Sequence, residues 1–248
     1  MRALAMVAVP AAALGVALAP EGVRADARTQ LSDAQVQAVV AHTLVDRDIE
    51  GVTVAATGGG NVTLTGMVSS AWSRNEAEWI ALKTRDVKSV ANRLTVARAE
   101  SDAAVARSVA EQVRRYVLYS VFDDVGVGVK DGNVTLTGEV TAGYKASDVA
   151  RIASKVRGVQ SVNNAIRTLP ASLFDDRLRA VIAHRIYTDP VFESYALQVP
   201  PPIHIVVENG RVTLTGAVGS EVERVKAGFT AREVFGVMSV DNELQVAS

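Results

Sequence analysis

The most constraining feature of this chain is a hexapeptide that recurs three times, always at the same distance from a later asparagine. Its copies are Asn61-Val-Thr-Leu-Thr-Gly66, Asn133-Val-Thr-Leu-Thr-Gly138 and, with one residue changed, Arg211-Val-Thr-Leu-Thr-Gly216. Each final glycine is followed 26 residues later by an asparagine, at Asn92, Asn164 and Asn242. A constant internal spacing indicates one supersecondary unit repeated along the sequence. We therefore expect three similar domains, which we call repeats 1, 2 and 3.

The same order of secondary-structure signals surrounds each hexapeptide. Every repeat opens with an aspartate ahead of apolar residues at helical spacing, namely Asp33, Asp102 and Asp175. This pattern predicts a first helix with the aspartate as its N-cap. In repeats 2 and 3, alternating residues then lead through Asp131-Gly132 or Asn209-Gly210 into the hexapeptide. Such a dipeptide between two alternating runs is the strongest short signal for a β-hairpin.

A second helix and a third strand complete the predicted unit. The Val-rich third strands are expected at Val90–Val96, Val162–Leu169 and Val240–Val246. A crossover through the second helix allows each of them to lie parallel to the hexapeptide strand. The predicted fold class is α+β, with three tandem αββαβ units, each a small mixed three-stranded sheet with two helices on one face. The expected boundaries are 28–98, 99–169 and 170–248.

Repeat 3 carries extra residues before its hairpin. They include Asp189-Pro190 and Pro200–Pro202. Proline fits neither the interior of a regular helix nor a central strand, so we expect this insertion to form a stiff surface loop.

The N-terminus has the features of a secretory signal peptide. One arginine near the start precedes an apolar stretch without charge until Glu21, and Ala25-Asp26-Ala27 supplies a small-x-small cleavage pattern. We predict a signal peptide over residues 1–27, with an uncleaved N-terminal anchor as the alternative. No later stretch has the roughly 18 to 20 apolar residues of a membrane span. The prediction is therefore an exported, periplasmic protein without an integral span in its mature chain.

Composition narrows the function further. The chain has no cysteine, so its domains are held by packing rather than by disulfides. With 26 basic and 27 acidic residues, its net charge of −1 gives no general attraction to nucleic acid. The three histidines, His42, His184 and His204, lie far apart and show no metal-ligand spacing. We expect no enzyme activity, no metal and no cofactor, because no motif for a catalytic site is present.

The arrangement of these motifs resembles the BON domain, named for bacterial osmotically induced and nodulation proteins. The resemblance rests on the hairpin, the Val-Thr-Leu-Thr-Gly strand and a Gly-Val-x-x-Val-x-Asn segment before the last strand, and it covers all three repeats. Its hallmark glycines include Gly158 and Gly236, while repeat 1 departs from the pattern with Asp86. The resemblance implies a non-catalytic, often tandem envelope module associated with phospholipid or other envelope surfaces and with osmotic stress.

Two helix surfaces are candidate binding sites. If the second helix of repeat 1 buries its alanine and isoleucine face, both of its tryptophans point outward. The candidates on this helix are Trp72, Trp79, Leu82 and Lys83. The equivalent helix of repeat 2 is polar and basic, with the candidates Tyr144, Lys145, Arg151 and Lys155. In repeat 3 the equivalent outer positions are Val222, Val225, Phe229 and Arg232, which again form an apolar face.

Two interpretations of these surfaces remain open at the level of sequence. An apolar helix face can dock against another repeat, which small domains need for stability. Exposed tryptophan is also favoured at protein interfaces and at the bilayer boundary. The predicted function is binding to anionic phospholipid or to envelope surfaces, in support of envelope integrity or osmotic stress tolerance. The alternative is a periplasmic scaffold that binds other envelope proteins without lipid contact.

Overall fold

Each repeat forms a helix, a β-hairpin, a second helix and a returning strand in the computed structural model, which describes residues 30–98 and 101–247. Repeat 1 consists of α1 (Asp33–Asp46), β1 (Val52–Thr57), β2 (Asn61–Val68), α2 (Ala71–Lys83) and β3 (Ser89–Val96). Repeat 2 consists of α3 (Asp102–Arg114), β4 (Asp124–Lys130), β5 (Asn133–Val140), α4 (Gly143–Lys155), β6 (Ser161–Asn164) and β7 (Arg167–Thr168). The predicted signal peptide lies outside the described residues.

Repeat 3 keeps this order and adds two short helical turns. Its elements are α5 (Leu173–Tyr187), a 3-10 turn (Pro190–Phe192), α6 (Glu193–Ala196), β8 (Ile203–Glu208), β9 (Arg211–Val218), α7 (Glu221–Arg232), β10 (Ser239–Asn242) and β11 (Gln245–Val246). The fold class predicted from the sequence is confirmed.

The hexapeptide strand is the centre of each sheet. In repeat 1, β2 pairs antiparallel with β1 and parallel with β3, and Leu64 lies opposite Val54 and Asn92. Val62 and Leu64 point into a core that both helices cover, which explains the alternating pattern of the hexapeptide. In repeats 2 and 3 the returning strand is broken after the asparagine, in contrast to the continuous strands expected. In repeat 2, Ile166 N–H donates to Asn164 Oδ1 at this break.

The N-caps of the first helices are not the expected aspartates, and two of these aspartates, Asp102 and Asp175, bind the hairpin turn instead. Serines cap these helices, namely Ser32, Ser101 and Ser172. Asp102 accepts hydrogen bonds from the backbone N–H groups of Asp131 and Gly132 in the hairpin turn, both at 2.8 Å. Asp175 binds the Asn209-Gly210 turn in the same way. A carboxylate that bridges two turn donors fixes the hairpin against the helix, which a local capping pattern does not reveal.

The recurring asparagine connects the returning strand to the second helix. Its side-chain amide donates to a backbone carbonyl in the first turn of that helix, to Arg74, Ala146 and Arg224 at 3.1, 3.1 and 2.7 Å. Asn92 Oδ1 also accepts from the N–H of Leu94. The spacing of 26 residues is therefore the chain length needed to pass through the helix and return to its first turn.

We expect Asn92→Ala to lower the free energy of unfolding by about 1–2 kcal/mol, because it leaves partly buried backbone groups without partners. Urea denaturation followed by circular dichroism measures the change. Asn75→Ala on the exposed face of α2 is the matched control and should change stability by less than about 0.5 kcal/mol. An equal effect of both substitutions would contradict the role assigned to Asn92.

The insertion of repeat 3 is more than the surface loop expected. Its Phe192 is fully buried in the core of the repeat. The hydroxyl of Tyr195 donates to Glu223 and accepts from Gly219 N–H, both at 2.7 Å. The prolines break regular structure as predicted, but the segment between them supplies an aromatic side chain that the core of this repeat uses.

Candidate functional site

Repeat 1 docks on repeat 2 through the corner between β2 and α2. Ala71 N–H donates to the carbonyl oxygen of Val159, and Gly158 N–H donates to that of Ser69, both at 2.8 Å. The side chain of Ala71 is buried within the core of repeat 2. Gln160 adds a hydrogen bond to the carbonyl of Val96 at 3.2 Å. Repeats 1 and 2 thus share a core at this corner.

Trp72 lies at the edge of this junction rather than pointing freely into solvent. It is half-buried against the core of repeat 1, and Lys155 Nζ lies 4.7 Å from the centroid of its ring. An ammonium group at this distance over an indole face is a cation–π contact. Of the two outward tryptophans predicted, Trp72 is therefore a docking residue, because the first turn of α2 faces repeat 2.

Trp79 and Leu82 remain at the surface, as predicted. Their side chains are 50% and 48% exposed, and Lys83 beside them is exposed as well. Glu76 borders the same face, but its carboxylate pairs with Arg47 at 3.1 Å. This face of α2 therefore combines a large apolar surface with a neighbouring cation, and its bordering acid is already paired.

Lys145 was expected on an exposed basic helix surface, and this expectation is wrong. Its side chain is buried, with Nζ 2.7 Å from Asp123 and 2.8 Å from Thr141 Oγ1. Burial raises the pKa of Asp123, but hydrogen bonds from Lys145, Thr141 and Ser120 outweigh this effect and hold it below its usual value. Asp123 thus anchors a buried ion pair.

The other predicted residues of α4 are exposed. Tyr144 stands at the start of the helix, and Arg151 pairs with Asp148 at 2.7 Å. Tyr116 also donates to Asp148, at 2.6 Å. The basic character of this surface is thus reduced by an acid that the sequence pattern did not single out. Among the predicted site residues of α2 and α4, the contact that the structure shows is that of Trp72 with Lys155.

Repeats 2 and 3 meet through a different surface. Ile205 N–H donates to the carbonyl of Val121 at 2.6 Å, and the rings of Tyr119 and His204 lie 5.4 Å apart. The side chain of His204 is therefore partly covered by repeat 2. This burial lowers the pKa of its imidazole. Arg167 adds hydrogen bonds to Glu208 at 2.8 and 2.9 Å.

The outer face of α7 is exposed and apolar. It carries Val222, Val225 and Phe229. The charged residues beside it form pairs, Arg224 with Glu221 and Lys226 with Asp189 at 3.1 Å. Arg232, one turn beyond Phe229, is exposed as well, so a cation also lies at the end of this face.

The described residues provide neither a metal-binding cluster nor a membrane-spanning helix. No group of three or more His, Cys, Asp or Glu side chains suited to a metal ion occurs within residues 30–98 and 101–247. In the same part of the chain, none of the helices combines the length and apolarity required to cross a bilayer.

The three αββαβ repeats, with their shared turns, glycines and asparagines, define a protein built of one small domain repeated in tandem. The chain belongs to the BON domain family, whose model matches residues 32–98, 101–170 and 175–248. It is similar to the osmotically-inducible protein Y of Escherichia coli (strain K12), with 29% identity over 125 residues that cover 49% of this chain and 61% of that protein. The match thus spans less than two thirds of that relative.

Similarity to solved structures is weak. The C-terminal domain of CdsD, a structural protein of the type III secretion system of Chlamydia trachomatis, is 14% identical, with 88% of this chain and 100% of that one covered and a TM-score of 0.25. The periplasmic domain of the inner membrane protein PrgH from S. typhimurium is 13% identical, with coverages of 79% and 99% and a TM-score of 0.22. Such low scores carry no argument about this chain.

Proposed function

We propose that this protein is an exported BON protein that binds phospholipid surfaces of the bacterial envelope through the exposed face of α2. The observation that supports this most directly is the half-exposed pair Trp79 and Leu82 beside Lys83. An indole and a leucine on one helix face suit the boundary between head groups and acyl chains, and a lysine beside them suits anionic phosphate. No catalytic chemistry enters this proposal.

The charges around this face favour an anionic membrane. Pairing of Glu76 with Arg47 neutralises the acid that otherwise repels phosphate. A lysine or arginine near an anionic bilayer contributes about 1 kcal/mol, and Lys83 is placed to do so. Lys155, at the end of α4, adds a second cation near this face, although its ammonium group already contacts the ring of Trp72. We therefore propose peripheral and reversible binding that weakens as salt increases.

The proposal predicts that Trp79→Ala with Leu82→Ala reduces sedimentation with phosphatidylglycerol-containing vesicles at least tenfold, because both inserted side chains are lost. Vesicles of phosphatidylcholine alone should bind the wild type more weakly. The matched control is Val225→Ala with Phe229→Ala, which truncates an exposed apolar face of α7 and should leave vesicle binding unchanged. Wild-type protein that stays in the supernatant with both vesicle types would refute the proposal.

The biological setting is proposed from the family and from the relative. The relative is named for osmotic induction, and the N-terminal residues of this chain carry the pattern of an export signal. We place the protein in the periplasm, where it supports envelope integrity under osmotic stress. A deletion strain should then lose viability after osmotic upshift more than a strain complemented with the wild-type gene.

A second function, a scaffold for envelope proteins, is favoured by α7. Its exposed residues Val222, Val225 and Phe229 form an apolar face along which Arg224 and Lys226 are paired with acids of repeat 3. An exposed apolar face of this kind suits a protein partner. The two functions are separable, because the α7 double variant affects only the scaffold and the α2 double variant affects only the lipid binding.

A further inference from the structure

The junction of repeats 1 and 2 has two parts, a donor corner and an acceptor loop. The donor corner is Ser69–Ala71 of repeat 1, and the acceptor loop is Gly158–Gln160 of repeat 2. Two reciprocal backbone hydrogen bonds join them, and the donor inserts the small side chain of Ala71. Because the chain repeats itself, equivalent segments occur in the other repeats at positions fixed by the hexapeptide glycine.

The equivalent donor corner in repeat 2 is unused. It consists of residues 141–143, with Gly143 at the place of Ala71. Within the described chain, neither Gly143 N–H nor the carbonyl of Thr141 takes part in a backbone hydrogen bond. A Cβ added at Gly143 would meet Thr168 Oγ1 at 3.6 Å, an ordinary van der Waals contact, so no clash excludes a side chain there. This corner therefore has a small residue and free backbone groups, which are the features of the donor in repeat 1.

The equivalent acceptor loop in repeat 3 is also unused. It consists of Gly236–Met238, and Gly236 N–H and the carbonyl of Val237 form no backbone hydrogen bond among the described residues. Phe235 and Met238 beside these groups are 99% and 78% exposed. Gly158 and Val159 of the occupied loop are buried, whereas the corresponding Gly236 and Val237 are only half-buried, with the ring of Phe174 beside Gly236. The loop of repeat 3 therefore has the features of an acceptor without its donor.

The two unused parts are not joined within one chain. Repeat 3 is attached to repeat 2 through Ile205 and His204, which lie on β8 rather than on the acceptor loop. Repeat 3 also has no donor corner of its own, because Glu221 takes the place of Ala71 and a charged side chain does not suit a buried core. One free donor and two candidate acceptors thus remain per chain among the described residues, since the loop 86–88 of repeat 1 also forms no such bonds. That loop has Asp86 in place of the glycine, with its carboxylate accepting from Leu31 N–H, so the loop of repeat 3 matches the occupied one more closely.

We propose that a second copy of this chain supplies the missing partner, with the donor corner of repeat 2 in one copy docked on the acceptor loop of repeat 3 in the other. In this contact, Tyr144 of repeat 2 takes the place that Trp72 has in the junction of repeats 1 and 2, and Glu233 of repeat 3 takes the place of Lys155. A phenol hydroxyl donates a hydrogen bond to a carboxylate, so this pair is complementary. Two such contacts related by a two-fold axis close a dimer, which buries Phe235 and Met238. This inference does not depend on lipid binding.

Analytical ultracentrifugation of the purified protein across the micromolar range tests the proposal, and we expect a species of twice the monomer mass. Gly143→Glu places in repeat 2 the residue that repeat 3 carries, and Phe235→Glu with Met238→Glu charges the acceptor loop. Each variant should shift the dimer dissociation constant upward at least tenfold with unchanged circular dichroism. Leu197→Glu, another exposed site, is the control and should dimerise as the wild type does.

A mixing experiment makes the test specific. The Gly143→Glu protein retains an intact acceptor loop, and the Phe235→Glu with Met238→Glu protein retains an intact donor corner. An equimolar mixture should therefore form a heterodimer through one restored contact, at concentrations where each variant alone is largely dissociated. A monomeric wild type at every concentration would overturn the proposal, as would a wild-type dimer that neither variant weakens or a mixture without heterodimer.

Discussion

Asp123→Ala should destabilise the protein by about 3–5 kcal/mol, since it leaves the ammonium group of Lys145 buried without its carboxylate. Asp123 is fully buried, and its two oxygens accept from Lys145, Thr141 and Ser120 at 2.7–3.0 Å. The loss is measured by urea denaturation at neutral pH. A loss below about 1 kcal/mol would show that the pair contributes little.

Replacing both Asp123 and Lys145 separates the cost of an unpaired buried charge from the loss of side-chain packing. Asp123→Ala combined with Lys145→Met removes the unpaired charge, so the double variant should be more stable than Asp123→Ala alone. Should the double variant instead be less stable by the full sum of the two single effects, the interaction between the side chains would be negligible.

The same carboxylate predicts the direction of the pH dependence. The pKa of Asp123 in the folded protein lies below its ordinary value of 3.8. A group with a depressed folded pKa stabilises the protein above its unfolded pKa, and this contribution is lost as the pH falls through the folded pKa. Stability should therefore decline below about pH 3.8, less steeply in Asp123→Ala. Some decline should remain in that variant because the pKa of Asp175 is lowered too.

Gly138→Ala should lower the free energy of unfolding by about 3 kcal/mol or more, through backbone strain and a direct clash. Gly138 is the last residue of the hexapeptide of repeat 2. Its backbone φ is +101°, which residues with a side chain rarely adopt. A Cβ there lies far inside van der Waals contact of the carbonyl oxygen of Asp124. Neighbouring backbone of β4 must move to make room, and that backbone continues into the buried ion pair.

Gly128→Ala in the same hairpin is the control for Gly138→Ala. Gly128 has no positive φ, and an added Cβ meets only the carbonyl oxygen of Thr135 at an ordinary 3.8 Å. Thermal unfolding of the two variants should show a large loss for Gly138→Ala and little change for Gly128→Ala. Equal midpoints would mean that the hexapeptide glycine is not required by its backbone conformation.

Much of the fold could be predicted because helices, strands and turns follow from the periodicity of short segments. Alternation at Val62 and Leu64, turn dipeptides such as Asp131-Gly132 and the constant distance to Asn92 are properties of short segments. The role of Asp102 was missed because its partners are 29 and 30 residues away in the hairpin turn. The core position of Phe192 was missed for a similar reason, since flanking prolines indicate irregular structure but not its burial.

The candidate site was predicted only in part, because exposure depends on how the repeats pack. Helical geometry placed Trp79 and Leu82 on the outer face of α2 correctly. It could not show that Trp72 meets Lys155 of the next repeat, nor that Lys145 pairs with an aspartate 22 residues earlier. Both errors concern the first or last turn of a helix, where neighbouring segments can cover any face.

The central claim, that the exposed face of α2 contacts lipid, is tested most directly by the fluorescence of Trp79. In the Trp72→Phe variant Trp79 is the remaining tryptophan, since the chain has two. Its emission should resemble that of a solvated indole in buffer and should shift to shorter wavelength when phosphatidylglycerol-containing vesicles are added. An emission spectrum that stays unchanged at saturating lipid would contradict the account.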